Sequence, residues 1–347
     1  MLVLGEVMII LSNCLTETAD EGCLKLANSL IKRIKNKQKD ATVITYQRES
    51  SLSDIHLNIN KLMLSSKLFS IIRQKNEPVL YVPFSARHNF SALRIFILSL
   101  FAKKGLYAVT TLNRPYNVFG KIFLKLSRAQ LLTFSRDAQK AHSDIVGMKR
   151  VTYLKTGVDT DKFVPVSAEV SSALKKKYGF DSDRPVILHV GHIKQGRNVA
   201  QLMKIDNKYQ VLLVSSTATK NDEDTALREA LTACPGIRLI DTYIPNIEEI
   251  YQLSDVYFFP VNQVANCIDV PLSCMEAASC NKPVVTTDYA EMKEFIGAEG
   301  FFFIDTFDKQ TINAVLDEAV NKKGSSRQQV LMYDWNNAVD YLINTIN

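Results

Sequence analysis

The chain has no C-x-x-C pair and no cluster among its five histidines, and its six cysteines (Cys14, Cys23, Cys234, Cys267, Cys274, Cys280) fall mostly inside predicted strands and helices. A reducing cytoplasm is therefore expected, and a zinc site is not. The amino-terminal "MLVLGEVMIILSN" lacks a basic region and carries Glu6, so it reads as a buried strand rather than a signal peptide. Long apolar runs are also missing. The longest later one, "IFILSLFA" at 95–102, is far short of the ~20 residues a spanning helix needs, and no transmembrane segment is expected. No internal repeat or low-complexity segment is present.

With 347 residues, 46% hydrophobic and 22% charged, the chain suits two globular domains of about 150 to 180 residues each. The net charge of +6 conceals a division. Through Pro165 there are 25 Lys and Arg against 12 Asp and Glu, a net of +13; the remainder has 17 against 24, a net of −7. The two halves are built for different partners or surfaces.

Short apolar runs alternate with helical patterns. Strands are predicted at 7–11, 41–46, 78–84, 107–112, 131–135 and 151–155, and "GCLKLANSLIKRIKN" between the first two repeats apolar residues at the spacing of an amphipathic helix. After "TGVDTDKFVPVS" the alternation restarts, with strands at 185–191, 209–216, 236–243, 255–260 and 283–288, which gives a second doubly wound parallel sheet. The domains are read as 1–165 and 166–328, followed by a helix over 329–347 with Leu331, Trp335, Val339 and Leu342 on one face.

The unit from Asp255 to Val285 is the most suggestive. A strand ends at Pro260, a loop runs to Val270, and a helix begins near Pro271, where proline's missing N–H costs nothing. The N–H groups of Leu272 and Ser273 can then receive an anion, which the helix dipole also favours. Glu276 sits about 7.5 Å further along the axis, a span that fits a phosphate at the helix tip and a sugar hydroxyl beside the first turns. A glutamate early in a helix also gains stability from the dipole alone, so spacing leaves both roles open.

In "VILHVGHIKQGRNVAQL", Gly191 and Gly196 have the G-x-x-x-x-G spacing of a nucleotide loop, but Arg197-Asn198 replaces the required Lys-Ser/Thr, which argues against a nucleoside triphosphatase. What remains is a strand, a glycine turn and a helix opening with Arg197. That arginine can hold a diphosphate through charge-assisted bonds, or simply stand in solvent. "DSD" at 181–183 has the form of a metal-binding D-x-D but reads as a solvated linker before a strand. His88 can face an acceptor or be structural, His189 is expected to face a sheet, and His56 and His142 carry no signal. In "NVFGKIFLKLSRAQ", Val118, Phe119, Ile122, Phe123 and Leu126 oppose Lys121, Lys125 and Arg128. Such a helix either lies on an anionic membrane or packs its apolar side into a core. No nucleic-acid recognition motif is visible.

Together "YLKTGVDTDKF", "VILHVGHIKQGRN", "DTYIPNIEEIYQLSDVYFFP" and "PLSCMEAASCNKPVVTTD" resemble, in order and spacing over roughly 150–290, the motifs of glycosyltransferase family 4; Trp335 matches its returning aromatic helix. The resemblance implies an α/β GT-B fold: two Rossmann-like doubly wound domains facing a cleft, with the carboxy-terminal helix crossing back to the amino-terminal domain. It implies a nucleotide-sugar donor (UDP- or GDP-sugar), no obligatory cofactor or metal, and transfer with retention. By position it assigns Arg197 to the donor diphosphate, Glu276 to the ribose hydroxyls, Tyr243 and Ile244 to the base, and Gly22 to close backbone approach. Two departures stand out. The family's arginine after the loop glycine is His192, and its first sugar-directed acid falls at Ile268, with Asp269 one residue away.

The resulting expectation is a retaining hexosyltransferase of polysaccharide biosynthesis, cytoplasmic, peripheral on the inner membrane face through its basic domain, with a glycan or lipid-linked acceptor and no nucleic-acid partner. Its catalytic residues are expected to be Arg197, Glu276 and Asp269, and its donor contacts Gly22, Gly191, His192, Arg197, Tyr243, Ile244, Leu272, Ser273 and Glu276. A nucleotide-sugar epimerase and a catalytically silent partner subunit are the alternatives.

Overall fold

A computed structural model describes residues 7–17, 19–60, 62–84, 88–217, 223–263, 266–322 and 325–346. The chain forms two compact units, Met1–Thr156 with Trp335–Asn347, and Gly157–Asp334. Within the first, the order is β1 (Ile9–Ser12), α1 (Gly22–Lys37), β2 (Thr42–Tyr46), β3 (Ile55–Leu57), α2 (Ser66–Lys75), β4 (Val79–Val82), α3 (His88–Ser99), β5 (Leu106–Thr110), α4 (Val118–Leu126), β6 (Gln130–Thr133), α5 (Arg136–Val146) and β7 (Val151–Tyr153). Its sheet is wholly parallel, in the order β3-β2-β1-β4-β5-β6-β7.

The second unit runs α6 (Ala168–Lys177), β8 (Val186–Val190), β9 (Gln210–Val214), α7 (Thr225–Ala233), β10 (Ile237–Ile240), α8 (Ile247–Leu253), β11 (Val256–Phe259), α9 (Leu272–Ser279), β12 (Val284–Thr286), β13 (Phe301–Phe303), α10 (Lys309–Asn321) and α11 (Ser326–Val330). Its parallel sheet is ordered β10-β9-β8-β11-β12-β13. Both sheets are doubly wound as expected: the strand order reverses between β1 and β4 in one and between β8 and β11 in the other. Ligands of such sheets bind beyond the carboxyl ends of the strands at that reversal.

The central strands are buried on both faces and read as continuous apolar runs for that reason; Ile9, Leu11, Ile44, Tyr81, Ala108 and Leu131 anchor one core, and Ile187, Leu213, Val256, Phe258 and Val285 the other. Helix starts are fixed by side-chain caps, among them Ser65, Ser135, Asp224 and Asp308, each accepting from an N–H of the first turn.

The units divide at Thr156/Gly157, ahead of the turn-rich stretch after Asp159, because 157–163 is clamped onto the end of the second unit. Val158 forms a parallel bridge with Asp334, whose Oδ2 accepts from the Thr160 N–H at 3.0 Å and hydroxyl at 2.8 Å. Arg327 donates to the carbonyls of Thr160 and Phe163. The final helix, α12 (Trp335–Ile346), packs on α1. Trp335, Val339 and Leu342 are buried on it as expected, with Ala338 and Ile346 beside them, but Leu331 is not part of that face. Leu331 lies in a separate single turn, Leu331–Tyr333, because the chain turns extended at Asp334 to make its bridge.

Candidate functional site

At the reversal point of the second sheet, β8 ends at Val190 and the chain continues through Gly191 and His192, while β11 ends at Phe259 and the 260–271 loop leads into α9. Gly191 donates its N–H to Val214 O at 2.9 Å, which extends the β8–β9 ladder by one residue. A Cβ on Gly191 would stand 2.8 Å from Arg197 Nη1 and 3.1 Å from His189 Nε2, so glycine is what lets the guanidinium lie against this turn. Arg197 is buried, and its Nε donates to Asn266 O at 2.9 Å, tying the β8 loop to the β11 loop.

Arg197 does not open a helix. It closes a single 3-10 turn, Gln195–Arg197, and Asn198 follows in the left-handed region (φ 57°, ψ 23°). Asn198 is held there by donating Nδ2 to Pro260 O at 3.2 Å, so the chain breaks before a second short 3-10 segment, Val199–Lys204. The positive charge at this loop therefore comes from the side chain and not from a helix dipole.

Behind the loop lies a buried polar row. His189 on β8 faces the sheet interior, where its Nδ1 is 2.8 Å from Phe258 O and its Nε2 has no hydrogen-bond partner among the described residues. Burial pushes its pKa down to about 4; the Phe258 carbonyl opposes this and the Arg197 charge adds to it. The neutral tautomer with hydrogen on Nδ1 satisfies these contacts. His192 is also buried. The His189 ring stacks on Tyr257, at 6.3 Å between centroids, and Tyr257 leans on Tyr251 at 6.0 Å.

Pro271 caps α9, and its carbonyl accepts from Cys274 N at 3.0 Å and Met275 N at 3.3 Å. The N–H groups of Leu272 and Ser273 thus precede the first intrahelical bonds, as anion binding at this end requires. Glu276 is 3% exposed, and its Oε2 accepts from Tyr251 Oη at 2.6 Å. The tyrosine is raised well above its usual range, first by burial and then by the Glu276 charge. A charge-assisted bond of this kind contributes about 1.5–3 kcal/mol. A carboxylate has about four acceptor positions, more than this one bond uses.

Asp269 is 2% exposed, and its carbonyl accepts from Glu291 N at 3.1 Å. Glu291, 1% exposed, takes Tyr333 Oη on its Oε1 at 2.8 Å. Ile268 is buried beside them. A second buried acid therefore stands next to Asp269, from the 3-10 turn Ala290–Phe295 after β12. Glu291 and Tyr251 escaped sequence reasoning, whereas His189 faces the sheet as expected. The one available signal was Tyr251 itself, between Ile250 and Leu253 on the buried side of α8.

The remaining candidates are dispersed. Tyr243 (exposed) and Ile244 (half-buried) lie in the loop between β10 and α8, and Gly22 opens α1 of the other unit. Asp181 and Asp183 are exposed, with Asp181 Oδ1 accepting the Asp183 N–H at 2.9 Å in a local turn. His88 starts α3, but its side chain lies outside the described residues. Among the described residues, no group of three or more His, Cys, Asp or Glu is placed to hold a metal.

Residues 184–321 match the family model described as "Glycosyl transferases group 1". Among curated proteins the chain is similar to an alpha-maltose-1-phosphate synthase of Mycolicibacterium smegmatis, 25% identical over 187 residues, which is 50% of this chain and 47% of that protein. It thus spans about half the length of the curated relatives it matches. Among solved structures it is similar to Anabaena HepE in complex with UDP, with a TM-score of 0.76 at 13% identity over 98% of this chain and 99% of that one. The same protein in complex with UDP-glucose gives 0.74 at 14% identity, over 97% and 99%. A glycosyltransferase from Rickettsia africae gives 0.74 at 16% identity, over 98% of both chains. At these identities the likeness is one of fold, and it establishes the two-unit GT-B class of Rossmann-like folds for this chain.

Proposed function

We propose that the chain is a retaining glycosyltransferase of family 4 type that takes a UDP-sugar in its second unit and transfers the sugar to a glycan or lipid-linked acceptor. The observation that carries this reading is the convergence, beyond β8 and β11, of a buried arginine, a helix amino terminus and a buried carboxylate. Arg197 and the Leu272 and Ser273 N–H groups suit the diphosphate, and Glu276 suits the ribose. The complexes of HepE with UDP and UDP-glucose support the donor class.

In this reading no side chain acts as a covalent nucleophile. The leaving nucleoside diphosphate develops negative charge, and Arg197 with the α9 amino terminus is preorganised to stabilise it. Tyr251 holds the Glu276 carboxylate in one orientation, and His189 presents a neutral imidazole behind Arg197. Asp269 or Glu291 is the acid available to address the transferred sugar where Ile268 cannot. Tyr243 and Ile244 suit the base, His192 a neutral contact to the diphosphate, and Gly22 an approach on the acceptor side. The enzyme acts in the cytoplasm.

Calorimetric titration with UDP-, GDP- and ADP-sugars, followed by product analysis, tests this. Saturable UDP-sugar binding lost in Glu276→Ala, with transfer to an acceptor, is the expected result. Isomerised free nucleotide-sugar without an acceptor would contradict the transferase. Binding without turnover across an acceptor panel would leave a silent subunit, for which the buried Ile268 and His192 are the motivating residues.

A further inference from the structure

Helix α4 has more apolar surface than its core uses. Gly120 and Leu124 are its buried residues, and Phe123 is half-buried against Phe96 of α3, with ring centroids 5.7 Å apart. A Cβ on Gly120 would stand 2.6 Å from Asn89 Oδ1, so the glycine sets the close packing of α3 and α4. That packing satisfies one side of the helix. Yet Val118 and Phe119 are each 70% exposed, Leu126 60% and Ile122 45%.

At 3.6 residues per turn these four fill one sector of about 100°, and Lys121 and Lys125, both exposed, fill the sector beside it, with the exposed Arg128 just past the helix end. The basic character extends well beyond the helix. Between Glu77 and Asp137 the sequence contains no acidic residue and nine Lys and Arg. Leu100, 60% exposed at the end of α3, is followed by the exposed Lys103 and Lys104.

We infer that this face of the first unit docks on an anionic lipid bilayer, with Val118, Phe119, Ile122 and Leu126 entering the acyl boundary and the flanking lysines and arginine on lipid phosphates. An apolar stripe bordered by cations, in a stretch of sequence that carries no acid, is the composition that an anionic interface selects. A second copy fits less well, because a two-fold contact would set these lysines against their own copies. The inference gives the lipid-linked part of the functional reading a surface and depends on none of its donor chemistry, so vesicle binding and sugar transfer fail separately.

The test is co-sedimentation of the full chain with phosphatidylcholine vesicles, with and without phosphatidylglycerol. Binding is expected only to the anionic vesicles and should weaken as salt rises. The double variant Phe119→Glu, Ile122→Glu should reduce it by roughly tenfold or more, and Lys121→Glu with Lys125→Glu by a similar factor, since each cation contributes roughly fivefold. Leu126→Gln, a milder change at an exposed site, guards against misfolding and should weaken binding without moving the thermal midpoint. Equal sedimentation of wild type and all variants, or no sedimentation with either vesicle, would overturn the inference. So would a dimer in sedimentation velocity that Phe119→Glu, Ile122→Glu dissolves while vesicle binding is absent.

Discussion

The second unit buries charge while the first exposes hydrocarbon. Arg197, Asp269, Glu276 and Glu291 are each less than a tenth exposed beneath the carboxyl ends of β8 and β11, whereas Val118 and Phe119 stand mostly in solvent on α4. Both depart from the usual partition of side chains, in opposite directions. A buried charge costs free energy unless it is paired, and in the second unit Glu276 and Glu291 each accept from a tyrosine hydroxyl. An exposed apolar stripe needs no partner within the fold. The first arrangement should be sensitive to the loss of single atoms, and the second should tolerate substitution until a partner surface is supplied.

The largest expected effect is on pH dependence. His189 sits at about 4 in the folded chain against an ordinary 6.5. The unfolded chain therefore takes up a proton below pH 6.5 that the folded chain refuses until about pH 4. Stability should fall as pH drops through that window, by about 3 kcal/mol in all, with no further loss from this group below it. Chemical denaturation of wild type against His189→Gln across pH 7 to 4 isolates the effect, and the difference should narrow as the pH falls. An unchanged difference would mean that His189 is not held neutral.

Tyr251→Phe comes next. It strips a charge-assisted bond from buried Glu276 and should cost about 1.5–3 kcal/mol in denaturant titrations. If the change costs nothing, the carboxylate is not positioned by that hydroxyl. The smallest effect is Phe119→Ser, which should shift stability by less than about 0.5 kcal/mol at a residue 70% exposed. A loss of several kcal/mol there would make α4 a core helix and erase the contrast between the units.

Much of the fold was legible because buried parallel strands leave continuous apolar runs, and the eleven strands expected from such runs are all present. β3 and β13 were not. Each has three residues, Ile55–Leu57 with a histidine in the middle and Phe301–Phe303 directly after a glycine, too short for any period to show. The arrangement of the candidate site was legible where it depends on chain spacing, as in Gly191, Arg197, Pro271 and Glu276. It was not legible where partners come from different elements: Tyr251 reaches Glu276 from α8, and Glu291 reaches Asp269 from beyond β12. The break at Asn198 escaped because its cause is a hydrogen bond to Pro260, distant in sequence. The α4 pattern was visible as an amphipathic repeat, but only packing could tell that Gly120 and Leu124 face the core and leave the remaining apolar stripe outside.

The central claim is that the second unit is a nucleotide-sugar donor site in which Arg197 holds the diphosphate. Calorimetric titration of UDP-glucose into wild type and Arg197→Ala tests it most directly. The prediction is saturable one-to-one binding by wild type and a loss of roughly tenfold to a hundredfold in affinity for the variant, as expected for removing charge-assisted bonds worth about 1.5–3 kcal/mol. Unchanged affinity in a folded Arg197→Ala protein would contradict the account.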